Sequence, residues 1–137
     1  MNSLWTDNAT VSLQKGLDAA GERNRVMAHN VANVNTPMFK RQDVSFEKQL
    51  RQALAAPSRL PLATTHERHV GGQKSLQDVG HKVSTDRSSA MRSDGNNVDI
   101  DREMALMATN QLNYNAMTQV LNERYSLLRY VIHEGRR

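Results

Sequence analysis

The sequence predicts an all-α fold: long N- and C-terminal helices packed as an antiparallel, coiled-coil-like hairpin, with an irregular, partly disordered middle that has room for short β segments. Three observations carry this. Apolar residues recur at alternating steps of four and three near both ends, the rhythm of a coiled-coil seam. The stretch from Asp99 to Ile132 contains neither Gly nor Pro. Between the periodic ends the composition shifts toward Gly, Pro, Ser, Asp, Lys and Gln, which favour turns and solvated loops. At 137 residues there is room for one ordinary domain. Residues 1–36 read as the N-terminal helix, 37–93 as the irregular middle and 94–137 as the C-terminal helix packing on the first.

In the N-terminal helix the seam is Leu13, Leu17, Ala20, Asn24, Met27, Val31 and Val34. Ser3, Thr6, Asp7 and Thr10 each offer a side chain that can cap its start. Its end is expected near Asn35, because Pro37 biases Thr36 out of the helical region. Gly16 and Gly21 each weaken an isolated helix by ~1 kcal/mol relative to Ala, so this helix needs a partner.

The C-terminal seam runs longer: Ile100, Met104, Met107, Gln111, Tyr114, Thr118, Leu121, Tyr125, Leu128 and Ile132. A second apolar stripe flanks it, with Ala108, Leu112, Met117, Val120, Leu127 and Val131. The turn cluster Asp94-Gly95-Asn96-Asn97 sets the helix start, with Asp99 as N-cap. Asp101 and Glu103 suit the positive end of the helix dipole, Arg129 and His133 the negative end, and Gly135 is a stop signal. The predicted packing residues are therefore Leu13, Leu17, Met27 and Val31 on the first helix, and Met104, Met107, Tyr114, Leu121, Tyr125, Leu128 and Ile132 on the second.

In the middle, Val44, Phe46, Leu50, Ala53 and Leu54 fit a short strand and then a short amphipathic helix. Pro57 and Pro61 interrupt regular structure beyond it, and Leu60 and Leu62 fit a brief extended piece. From Gly71 to Ser93 the chain reads as a long loop or disordered insert.

Apolar residues make up 38% and aromatics 4%, too few for a large self-contained core. Two helices alone bury little, and the second stripe lacks a partner within the chain, so other copies or relatives are expected to supply the missing surface. The absence of cysteine excludes disulfides, Cys-ligated zinc, iron–sulfur clusters and thiol catalysis. The net charge of +4 comes from scattered Lys and Arg, densest at Arg136-Arg137, and makes no basic stripe for nucleic acid. No apolar run reaches membrane-spanning length. Met1 to Asp7 has neither a basic start nor an apolar core, so no cleavable secretory signal is expected. His66, Glu67 and His69 form a weak metal pattern and read as polar loop residues. No nucleophile elbow, phosphate loop or carboxylate dyad is present. Neither a catalytic residue nor a cofactor, metal or small-molecule substrate is expected.

One stretch says more than helix ending requires. Asn30, Asn33 and Asn35, with Thr36-Pro37 after them, gather side-chain amides at one corner, where they can bond free carbonyls at the helix end or groups on a neighbouring molecule. With this stretch the sequence resembles the flagellar basal-body rod and axial protein family, whose hallmark is a helix ending in A-N-N-[LI]-A-N-x-[ND]-T-P-G-[YF]. The matching positions are Asn30, Ala32, Asn33, Asn35, Thr36 and Pro37. Met38 stands where the family has Gly, so either Met38 is strained by a positive φ or the turn is rearranged. The run Asp94-Gly95-Asn96-Asn97-Val98-Asp99 and the stretch Thr65-His66-Glu67-Arg68-His69 are similar to one of the two proximal rod types; the other usually has P-N-V in place of D-G-N.

The resemblance implies a structural subunit of the proximal rod. It implies export through the flagellar type III apparatus without a cleavable signal, and polymerisation through the terminal helices. The implied location is the basal body, across the periplasm. The implied partners are copies of itself, other rod proteins, and membrane-ring and export-gate components at the rod base. Competing readings are a small helical cytoplasmic regulator, which needs a basic stripe, and an export adaptor, which is usually acidic.

Overall fold

The computed structural model describes residues 7–55, 76–87 and 92–134. In chain order these form α1 (Asn8–Ala32), β1 (Gln42–Ser45), α2 (Glu47–Ala55), a single 3₁₀ turn (Leu76–Asp78), β2 (Lys82–Thr85) and α3 (Ile100–Glu134). The long helices run antiparallel: Asn30 meets Glu103, Asn24 meets Asn110, and Thr10 meets Arg124. At 35 residues, α3 is roughly 50 Å long.

The helix ends obey local chemistry. Asp99 caps α3, its Oδ1 accepting from the backbone N–H of Asp101 at 3.0 Å and of Arg102 at 3.3 Å. Asp7 occupies the N-cap position of α1, but its carboxylate bonds Arg124 at 2.8 Å instead. α1 stops at Ala32, a few residues before the expected Asn35.

In the middle, β1 and α2 lie where Val44, Phe46, Leu50, Ala53 and Leu54 placed a strand and a helix. Phe46 joins Ala19 of α1 and Val79 in a small apolar cluster, with Leu50 and Ala53 against it. Arg23 fastens this unit to α1, donating to Val44 O and to both Glu47 carboxylate oxygens. The stretch from Gly71 to Ser93 is not simply a loop. It holds the 3₁₀ turn and β2, which pairs antiparallel with β1 in the register Gln42↔Thr85, Val44↔Val83. β2 escapes sequence-based expectation because it is exposed along its whole length. With every residue exposed, it has no buried face to write an apolar alternation. Pro57, Leu60, Pro61, Leu62, His66, Glu67, His69, Gly135, Arg136 and Arg137 lie outside the described residues.

The largest difference concerns which line of α3 meets α1. The inward line is Glu103, Met107, Asn110, Met117, Leu121, Arg124 and Leu128, all buried or half-buried. It shares Met107, Leu121 and Leu128 with the expected seam but flanks them on the opposite side. Ile100, Met104, Tyr125 and Ile132 are exposed. Hydrophobic periodicity misses the inward flank because three of its members are Glu, Asn and Arg. On α1, Ala20 and Met27 are buried, whereas Leu13, Leu17, Asn24 and Val31 are half-buried, as is Val34 just beyond the helix end. Gly16 has a purpose here: a Cβ on it would stand 2.8 Å from Met117 Sδ, so glycine lets α3 approach.

Candidate assembly interface

The corner where α1 ends is built almost wholly from amides and one buried ion pair. Asn30, Asn96 and Glu103 are its fully buried side chains. Asn30 behaves as a strand neighbour to β1. Its Nδ2 donates to Gln42 O at 2.8 Å, and its Oδ1 accepts from Gln42 N at 2.9 Å. The same Nδ2 donates to Glu103 Oε2 at 3.1 Å. The other carboxylate oxygen of Glu103 accepts from Arg41 Nε at 2.5 Å. Burial opposes the Arg41 charge, but the hydrogen bond and charge of Glu103, with the charges of Asp43 and Asp86, outweigh it and hold the guanidinium pKa above its ordinary value. Among the described residues no buried side-chain nitrogen or oxygen lacks a partner.

Asn96 closes the helix end. Its Nδ2 donates to the carbonyls of Asn33, Val34 and Thr36 at 3.0, 3.1 and 2.9 Å. These carbonyls belong to the C-cap Asn33 and to the turn beyond it, so Asn96 ties down the chain where it leaves α1. Its Oδ1 accepts from Val98 N at 2.7 Å, which turns the chain toward α3. Arg92 Nη1 adds a bond to Val34 O at 3.0 Å, and Asn97 Oδ1 accepts from Arg41 N at 2.7 Å. The Asn-rich stretch and the Asp94–Asp99 run, far apart in sequence, are thus the two halves of one joint.

The motif residues divide by depth. Asn30 is buried. Asn33 is half-buried, its Nδ2 on His29 O at 2.9 Å and its Oδ1 accepting from Thr36 Oγ1 at 3.2 Å. Ala32, Asn35, Thr36 and Pro37 are exposed. Thr36-Pro37-Met38-Phe39 forms a tight turn, with Phe39 N donating to Thr36 O at 3.3 Å. Pro37 supplies the second position, and Met38 at the third has φ +61°. That is the type II pattern, which asks for Gly there. Met38 therefore carries left-handed strain. Its side chain, 72% exposed, reaches over Gly95, itself at φ +84°.

Sequence reasoning missed Arg41, Asn96, Asn110 and Arg124 as joining residues, and read Glu103 only as a dipole partner. A usable signal was present: Glu103, Asn110 and Arg124 fall on one seven-residue repeat. Polar residues at such spacing, flanking an apolar line, mark a clasped seam.

The outer surface of α3 has the opposite character. Leu112 is 70% and Leu127 65% exposed, and Val120, Val131 and Ile132 are also open. No Asp, Glu, Lys, Arg or His occurs from Met104 to Asn122. A surface helix normally carries charge on its solvent face; here exposed Leu and Val stand among uncharged polar residues such as Gln111, Asn113, Asn115 and Gln119. Depletion of charge is the compositional mark of an interface core. Of the predicted packing residues, Leu13, Leu17, Met27, Val31, Met107, Leu121 and Leu128 lie buried or half-buried, while Met104, Tyr114, Tyr125 and Ile132 are exposed. No helix among the described residues is long and apolar enough to cross a membrane.

No family model matches the chain. Curated relatives do. The flagellar basal body rod protein FlgB of Bacillus subtilis strain 168 is 34% identical over 125 residues, covering 91% of this chain and 93% of that protein. FlgB of Borreliella burgdorferi is 36% identical over 120 residues, covering 85% and 89%. FlgB of Escherichia coli K12 is 27% identical over 129 residues, covering 89% and 91%. With the hairpin, the Asn joint and this end-to-end similarity in hand, the chain belongs to the FlgB family of flagellar basal body rod proteins.

Proposed function

We propose that the chain is a structural subunit of the proximal rod of the bacterial flagellar basal body and part of its torque-transmitting drive shaft. It leaves the cytoplasm through the flagellar type III apparatus without a cleavable signal, then polymerises through its terminal helices. Its partners are copies of itself, other rod proteins, and membrane-ring and export-gate components at the base. It works without a cofactor, performs no catalysis and binds neither nucleic acid nor a small-molecule substrate. The observation that carries this reading is the outer surface of α3, which is uncharged from Met104 to Asn122 and exposes Leu112, Val120, Leu127 and Val131. Many parallel helix contacts of this kind, each contributing roughly 25 cal/mol per Å² of apolar area, stiffen a tube without requiring any single strong interface.

The test uses exposed positions. Leu112→Asp and Leu127→Asp should abolish swimming and remove the chain from purified hook–basal bodies. The melting of the dilute chain should stay within about 0.5 kcal/mol of the parent, since neither side chain supports the hairpin. Normal motility with normal rods would sink the proposal. Leu121 and Leu128 are poorer probes, because they are half-buried on the seam and their loss would also damage the monomer.

A further inference from the structure

Two faces of α3 are available to α1. Both contain the shared line Met107, Tyr114, Leu121 and Leu128. One flank holds Glu103, Asn110, Met117 and Arg124; the other holds Met104, Gln111, Thr118, Tyr125 and Ile132. Burial of apolar area alone favours the second flank. The structure turns the first one inward.

Each polar member of that first flank has a definite partner. Glu103 takes Asn30 and Arg41. Asn110 Nδ2 donates to Ala20 O at 2.9 Å and to Asn24 Oδ1 at 2.8 Å. Arg124 donates to Thr10 Oγ1 at 3.1 Å and to Asp7 Oδ2 at 2.8 Å. Between them, Met117 fits against Gly16. The partners on α1 descend in step as α3 ascends.

We propose that Glu103, Asn110 and Arg124 are the pairing determinants of the hairpin, selecting which face of α3 meets α1 and in which register. Turning α3 by one residue, about 100°, strands Asn110 away from Ala20 and Asn24. Sliding it by one heptad parts Glu103 from Arg41 and Asn30, and Arg124 from Asp7 and Thr10. A buried polar group without its partner is costly, so every alternative is penalised, whereas an all-apolar seam would tolerate several. Selection by polar residues keeps the apolar flank outward. The role of that outward flank rests on the function proposed above; the pairing itself does not.

The chain has no cysteine, so introduced thiol pairs report the pairing directly. Gly16→Cys with Met117→Cys reads the observed face. Gly16→Cys with Thr118→Cys reads the turned face, and Ala9→Cys with Met117→Cys reads the slide. Oxidation of the dilute full chain should cross-link the first pair at least about tenfold faster than either other pair. In a background of Arg41→Leu, Glu103→Leu, Asn110→Leu and Arg124→Leu, the ratio should fall to about threefold or less while circular dichroism shows the helix retained. A ratio still above that in the leucine background overturns the proposal, because apolar packing and the turns would then set the pairing. Loss of helix in that background overturns it as well, because the polar groups would then supply stability and not selection. Neither result depends on rod assembly, so failure here is separable from failure of the proposed function.

Discussion

The corner at the end of α1 and the outer surface of α3 invert the usual arrangement of a small protein. The corner is buried and polar, with Asn30, Asn96, Asn97, Arg41 and Glu103 each bonded to a specific atom. The outer surface is open and uncharged from Met104 to Asn122, and its large exposed side chains include the apolar Leu112, Val120 and Leu127. Polar contacts are directional, so the corner defines one geometry. Apolar contacts are not, so the outer surface can accept neighbours at more than one angle. The hairpin is joined by the kind of interaction that specifies, and it displays the kind that associates.

Changes at the corner should therefore act on the monomer, in descending order of size. Glu103→Leu leaves the buried Arg41 with only the longer, exposed Asp43 contact at 3.6 Å and should cost about 3–5 kcal/mol in thermal or urea unfolding of the dilute chain. A loss under about 1 kcal/mol would mean that Arg41 finds solvent easily and the ion pair does not pin the corner. Asn96→Asp keeps the shape, removes the amide hydrogens and sets a carboxylate against three carbonyls; roughly 2–3 kcal/mol should be lost. Asn35→Ala, on an exposed neighbour, should stay within about 0.5 kcal/mol. Similar losses at both positions would erase the distinction between buried and exposed motif amides.

Two smaller effects sharpen the picture. Met38→Gly should stabilise by about 0.5–1 kcal/mol, because relief of left-handed strain exceeds the added freedom of glycine in the unfolded chain. A destabilised Met38→Gly would show that the Met38 side chain over Gly95 matters more than its backbone. The smallest effect concerns pH. Burial works to raise the Glu47 pKa, but the Arg23 hydrogen bond and charge together with backbone hydrogen bonds outweigh it and hold the carboxyl below its ordinary value of 4.5. A depressed folded-state pKa gives stability that is complete above the unfolded value and lost as pH falls through the folded one. Acid titration of the parent should thus show a shallow loss of stability below pH 4.5 that Glu47→Gln lacks; identical acid limbs would deny the pair any role.

The hairpin, both helix spans, the strand–helix unit around Val44 and Phe46 and the Asp99 cap were legible in the sequence, because each leaves a periodic or positional trace. The inward face of α3 was not. Periodicity counts apolar residues, and the face that packs is marked by Glu103, Asn110 and Arg124, so the count selected the wrong flank. β2 was illegible for the opposite reason: a strand exposed along its whole length imposes no pattern on its side chains. The motif amides were recognised as bonding groups, and Asn33 does bond within its own helix end. The donor that holds the turn beyond α1, however, is Asn96, which looked like an ordinary turn residue. Only folding shows that the two stretches meet.

Asn96 also limits how the sequence can drift. Its amide must present hydrogens to three acceptors while its oxygen receives Val98 N, all within one short side chain. Asp has the length without the hydrogens, Gln has the chemistry but overshoots, and Ser falls short. No single replacement is a near miss, so this site admits no gradual route of change.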